Sequence, residues 1–234
     1  YEVRANKKIK DVESFGSAKK AISTPDMIML LHEDNDNVVD EEDMLRNRLF
    51  DMLVGDFDRH DDQWRWAVFK CAKGNHEACY HTKTDASGKG LIFRPVPRDR
   101  DQVFDNVDGF VARVASLKFM PGRILQDYDY KINDLVGLNI NGRELDKTFL
   151  TRLSKNDWIK VAEEIQKSLP DSVIKAAFEV WPKNIFDLGG EEIVQKMISR
   201  RNDIVKYAVQ YYEILAEKVE IVGSDKVELF EIYR

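Results

Sequence analysis

From Glu41 to Val54 the apolar residues Met44, Leu45, Leu49, Met52 and Leu53 recur at three- and four-residue spacing, which puts them on one face of an α-helix. Gly55 follows, where a glycine stops a helix by adopting a left-handed backbone. The period then changes. Trp64, Trp66 and Val68 fall at every second position in the run to Cys71, in the manner of a strand, and Leu91–Val96 reads as a second strand ending at Pro97. Between the two strands, Gly-Asn-His-Glu and Asp-Ala-Ser-Gly-Lys-Gly are turn-like.

The same reading extends along the chain. Residues 1–25 are weakly periodic, with room for one short strand. Thr24 is placed to cap a helix with Pro25 as its first residue, carrying Met27, Ile28, Leu30 and Leu31. The acidic run His32–Asp43 reads as a solvated connection. After Asn106 the pattern is mostly helical. Ser154-x-x-Asp157 has the form of a capping box before Trp158, Val161, Ala162 and Ile165, and Asp171 is expected to cap a short helix ending near Trp181–Pro182. Beyond Gly189–Gly190 one long helix is expected, with Val194, Ile198, Val205, Ala208, Tyr212 and Leu215 as a packing stripe. The end of the chain alternates around Gly-Ser-Asp-Lys as a hairpin would, and a lone hairpin needs something to pack against. The expected fold is α+β and mostly α-helical: a flank at 1–40, a helical lobe at 41–218 and a hairpin at 219–234.

Composition narrows the function classes. The chain has 234 residues, of which 43% are hydrophobic and 33% charged, as in a folded globular protein. Its formal net charge of -6 argues against nucleic acid, which favours a basic face. No apolar run approaches the ~20 residues of a membrane-spanning helix. Cys71 and Cys79 are either free thiols or a disulfide across the strand pair, the latter requiring an oxidising compartment. With His76 and His81 they also form a zinc-capable set, in a spacing that matches no familiar ligand pattern.

The chemical signal lies at the corner between helix and strand. Gly55–Gln63 carries Asp56, Asp58, Asp61 and Asp62 around Arg59 and His60. Four carboxylates so close repel one another unless they are solvated, paired with cations or gathered round a metal. The loop is held between an apolar helix and two tryptophans, which favours a site over a bare solvated turn. Asp58 and Gln63 are five residues apart, the separation of catalytic Asp and metal-binding Asn in the kinase pattern H-R-D-x-x-x-x-N. Asp99 and Asp101, just past the returning strand, supply further acids where a metal would need them. Arg98 and Arg100 alternate with those acids, and either contact phosphates or form local ion pairs.

The run Asp58-Arg59-His60-x-x-Gln63 resembles the D-R-H-x-x-N catalytic loop of phosphoinositide lipid kinases. Its G-D-x-D-R-H form is similar to loops of the CotH spore-coat kinases, the HipA kinases and secretory-pathway protein kinases. The wider text RLFDMLVGDFDRHDDQWRW…PVPRDRDQVF resembles an uncharacterised family of bacterial envelope proteins common in Bacteroidetes. The resemblance implies the C-lobe of a kinase-like fold using Mg²⁺ and ATP on an unknown substrate, with a cell-envelope location. Asp58 would be the base, His60 an acid–base or buttressing group, Gln63 with Asp99 or Asp101 the metal contacts, and Arg98 and Arg100 phosphate contacts. Gln63 stands in place of the family's Asn, and Asp99-Arg-Asp-Gln in place of D-F-G. The first 40 residues are too few for a nucleotide-binding lobe, so that lobe lies upstream or the unit does not bind ATP in the ordinary way. Two alternatives stand beside this one: a two-metal phosphoesterase using Asp56, Asp58, His60, Asp99 and Asp101, and a non-catalytic envelope domain with a structural acidic loop.

Overall fold

The computed structural model describes residue 18 and residues 20–70, 90–107, 122–150, 152–219 and 223–227. Among them the order is β1 (Lys20–Ile22), α1 (Thr24–Glu33), β2 (Val38–Val39), α2 (Glu41–Val54), a 3₁₀ turn (Asp61–Gln63), β3 (Trp64–Lys70) and β4 (Leu91–Pro97). Seven helices follow: α3 (Leu135–Leu138), α4 (Arg143–Phe149), α5 (Lys155–Ser168), α6 (Asp171–Phe178), α7 (Lys183–Phe186), α8 (Gly190–Asn202) and α9 (Ile204–Ala216). About half of the described residues are helical, and the strands form one mixed sheet in the order β1-β3-β4-β2. The fold is α+β. The Cys71–Cys79 pair, His76 and His81 lie outside the described residues, as does most of the terminal hairpin.

The sheet places the acidic corner. β3 and β4 run antiparallel with Trp64 opposite Pro97 and Lys70 opposite Leu91. The chain therefore enters β3 and leaves β4 at the same end. Residues 20–40 supply both edges of the sheet: β1 is antiparallel to β3, and β2 is parallel to β4.

Helix α2 packs its apolar stripe between sheet and helices. Met44, Leu45, Leu49, Met52 and Leu53 are fully buried with Trp64, Trp66 and Phe93 of the sheet and Trp158, Val161 and Ala162 of α5. Each such side chain contributes on the order of 1.5–3 kcal/mol by leaving water. The helix begins where Asp40 accepts from Asp43 N–H and ends at Gly55, whose φ of +78° is left-handed. The Ser154–Asp157 capping box forms as expected and starts α5.

Four expectations need correction. The cap of α1 is Ser23, whose Oγ accepts from Asp26 N–H, so Thr24 is the first helical residue and Pro25 the second. Thr24 is buried instead, donating to Asp61 O at 2.8 Å and accepting from Trp66 Nε1 at 3.1 Å, which ties α1 to the acidic corner. Asp171 is the first residue of α6 rather than its cap, and pairs with Arg201. The long final helix is two helices. Asp203 N–H is shared between Ser199 O and Arg200 O, and the short polar pair Asn202–Asp203 is poorly suited to a helix interior. The break changes the stripe: Val194, Met197, Ile204, Ala208, Tyr211 and Leu215 are buried, while Ile198, Val205 and Tyr212 are only partly covered.

Candidate functional site

The acidic corner stands on a buried ionic base. Asp51, on the last turn of α2, is completely buried and meets three guanidinium groups. Arg100 Nε donates to its Oδ1 at 2.8 Å, and Arg48 Nη1 and Arg59 Nε lie 3.2 Å from its Oδ2. Arg48 continues the chain of charge, donating to Asp146 at 2.7 and 3.0 Å and to Asn139 Oδ1 at 2.8 Å. Tyr211 Oη donates to the same Asp146 carboxylate at 2.8 Å. Asp51, Asp56 and Asp146 thus face Arg48, Arg59 and Arg100, three charges against three. A buried network of this kind is tolerable only when its charges are matched and hydrogen-bonded.

Arg59 joins this base to the loop. Its guanidinium lies 4.7 Å from the Trp64 ring centre, donates to Arg98 O at 2.7 Å and Gln63 O at 3.3 Å, and reaches Asp56 Oδ2 at 3.4 Å. Arg98 N–H also donates to Gln63 O at 2.9 Å. The loop before β3 and the exit from β4 are therefore pinned to one another through a single buried cation. Burial raises the Asp56 carboxyl above its ordinary range; Arg59 opposes the shift and Asp51 adds to it. Burial also lowers the Arg59 guanidinium. For Arg48 burial works against the charge, but the carboxylates of Asp146 and Asp51 outweigh it and hold the guanidinium above its usual range.

On this base sits Asp58, with 31% of its side chain exposed. Its N–H donates to Asp56 Oδ1 at 3.1 Å, which fixes the loop as an Asx turn. Its carboxylate receives Gln63 Nε2 at 3.4 Å on one oxygen and Asn141 Nδ2 at 3.3 Å on the other. His60 is half-exposed, its Nε2 3.5 Å from Gln63 Nε2 and 3.8 Å from Asp58 Oδ1. The side-chain amide of Gln63 spends its nitrogen on Asp58, which leaves Oε1 available as a hard-cation ligand.

Asp99 follows Arg98, so its backbone lies at the same sheet end as Gln63. Its φ of +52° is uncommon for a non-glycine residue, and local strain of this kind gathers at functional positions. Asp99 and Asp101 are both exposed, and neither makes a hydrogen bond or ion pair. Among the described residues, Asp58, Asp99 and Asp101 do not close into a three-ligand set; His60, Asp61 and Asp62 do, with ligand atoms within 4.8 Å of one another. Arg100 turns back to Asp51 and to Asn47 Oδ1, away from an ion pair with its neighbouring acids.

Several residues of this arrangement carried little sequence signal. Arg48 falls on the Met44–Leu49–Met52 face, and a charge on an apolar stripe is a visible hint of a buried ion pair. Asp51 lies three residues further on. Asn139, Asn141 and Asp146 sit in a stretch without apolar periodicity, and nothing local marks them. No protein-family model, curated protein or solved structure matches this chain.

Proposed function

We propose that this chain carries the catalytic and metal-binding half of a kinase-like, Mg²⁺-dependent phosphotransferase. One observation carries the reading: Asp58 is half-exposed yet held on both carboxylate oxygens by amide donors, Gln63 and Asn141, above a rigid buried base. A general base must point its lone pairs at one place, and positioning of this sort is worth far more than proximity alone. Asp58 would accept the proton of a hydroxyl nucleophile. Gln63 Oε1 and Asp99 would share the cation through bound waters, with Asp101 as a further contact and His60 supporting the loop. Mg²⁺ favours a few carboxylate or amide oxygens together with several waters, which suits exposed and unpaired acids. Arg98 keeps its place as a phosphate contact, whereas Arg100 acts indirectly, through Asp51.

The test uses the full-length protein: calorimetric titration with ATP, with and without Mg²⁺, and phosphoryl transfer to water or added acceptors. Asp58→Asn should melt within a few degrees of wild type while turnover falls by roughly two to four orders of magnitude. Wild type that binds no Mg²⁺–nucleotide would overturn the reading. A second reading, metal-dependent phosphoester hydrolysis, is favoured by the meeting of His60, Asp61 and Asp62. It is distinguished by metal-dependent turnover of an aryl phosphate without any nucleotide.

A further inference from the structure

The apolar surface of this protein is unevenly distributed. Nine large apolar side chains stand exposed among the described residues, and four of them, Val173, Val180, Ile185 and Leu188, fall between the start of α6 and the start of α8. Val180 and Leu188 are 81% and 84% exposed. Scattered apolar residues on a surface are ordinary, but a gathering of them on adjacent elements marks a face that meets another molecule.

On the same elements lies a cavity of about 460 Å³, walled by Phe178, Trp181, Phe186 and Val194. Two features keep it open. The ring centres of Phe178 and Trp181 are 4.9 Å apart, and both rings pack on Phe104, at 5.7 and 6.4 Å, so that wall is anchored to the loop after β4. Phe186 lies against the first turn of α8, where a Cβ on Gly190 would fall 2.3 Å from its ring. Projections and hollow are interleaved along the chain. Val180 stands between Phe178 and Trp181, and Leu188 follows Asp187, another residue of the cavity wall. A face that carries both a knob and a hole can be covered by its own copy, because a two-fold axis brings each onto the other.

The charges around the cavity favour the same occupant. Lys183 and Asp187 pair with each other, whereas Lys175, Glu179 and Glu191 make no ion pair. A uniformly acidic or uniformly basic partner would meet a like charge somewhere on this rim. A second copy, turned about a two-fold axis, offers a carboxylate to the lysine and a lysine to the carboxylate.

We propose that this face is a two-fold self-association surface, in which Leu188 of one copy enters the aromatic cavity of the other and the free rim charges pair across the axis. Sedimentation velocity of the full-length protein over a wide concentration range is the test. Wild type should move from the chain mass toward twice that mass as concentration rises. Leu188→Asp should weaken the dimer by about tenfold or more, since it puts a charge where an apolar anchor was buried. Leu188 is exposed in the single chain, so the variant should keep its fold, which far-ultraviolet circular dichroism checks. Lys175→Glu should weaken the dimer too, because the free rim charges are then all negative and repel their own copy. Met29→Asp is the control: Met29 is 54% exposed on α1, away from this face, and its loss should leave the dimer intact. Trp181 gives a second readout. The chain has four tryptophans, and Trp64, Trp66 and Trp158 are fully buried, so quenching by acrylamide reports Trp181 and should fall on dimerisation. A monomer at every concentration would overturn the proposal and leave the face to a different protein. A dimer that Leu188→Asp or Lys175→Glu leaves intact, or one in which Trp181 stays as open to the quencher as before, would overturn it as well.

Discussion

Asn141 Nδ2 lies 3.3 Å from Asp58 Oδ1, joining two residues 83 positions apart. The contact is long for a hydrogen bond to a carboxylate, yet it closes the acidic corner from the far side of the chain and complements Gln63, which closes it from within. Asn141→Ala should therefore free one carboxylate oxygen without disturbing the base beneath. Stability should fall by about 0.5–1.5 kcal/mol, the usual worth of one hydrogen bond. Turnover should fall by roughly 10- to 100-fold, because a base that can rotate spends less time aligned. Denaturant unfolding and steady-state kinetics measure the two effects separately, and unchanged kinetics would make Asn141 a purely structural contact.

Arg48 offers the opposite balance. It is buried with Asp146 and Asp51 on either side, and Arg48→Met would leave both carboxylates short of a cation. The expected loss is about 3–5 kcal/mol, as for other buried pairs broken on one side. Arg46, one residue pair away on the same helix, is the control: its partners Asp43 and Glu164 are well exposed, and Arg46→Met should cost less than about 1 kcal/mol. Comparable losses in the two variants, measured by chemical denaturation, would mean that the buried network is not what holds α2 to α4.

Asp56 gives a test in pH. Burial raises its carboxyl in the folded protein, so the native state holds that proton more tightly than the unfolded chain does. Its charged form is thus a burden at neutral pH, and the burden lifts as pH falls through the native value, with no further gain below about 3.9, the unfolded value. Asp56→Asn has no such proton to gain. Stability of wild type relative to the variant should therefore improve between about pH 7 and about pH 4. Unfolding free energies at the two ends decide the sign, and a slope in the other direction would mean that attraction to Arg59 outweighs burial.

What could be read from sequence was what is decided locally. Helix α2, its stop at Gly55, strand β3 and the Ser154–Asp157 cap each depend on residues a few positions apart, and each was expected. The cluster of acids was legible for the same reason. Thr24 was misread because Ser23 and Thr24 are chemically equivalent as caps, and only the distant Asp61 carbonyl and Trp66 indole decide between them. The split between α8 and α9 was hidden because both halves keep nearly the same apolar spacing across Asp203. Of the buried base only Arg48, a charge on an apolar stripe, left a hint; its partner Asp146 was out of reach, since charge matching across so many positions is a property of packing.

The separation of those two partners, 98 positions, bears on how far the acidic corner can be moved. The ten residues Gly55–Trp64 contain every acid of the loop, but the cations that face buried Asp51 include Arg48 of α2 and Arg100 beyond β4, and Arg48 is held in turn by Asp146 of α4. Grafted onto another helix-to-strand corner, the segment would carry its carboxylates and leave behind the counter-charges beneath them. Arg59 would then bend toward whichever acid was nearest, and Asp58 would lose its orientation. The corner behaves as a keystone, shaped by stones that lie elsewhere in the arch, and a transplant that keeps its geometry must bring Arg48, Asp51, Asn141 and Asp146 with it.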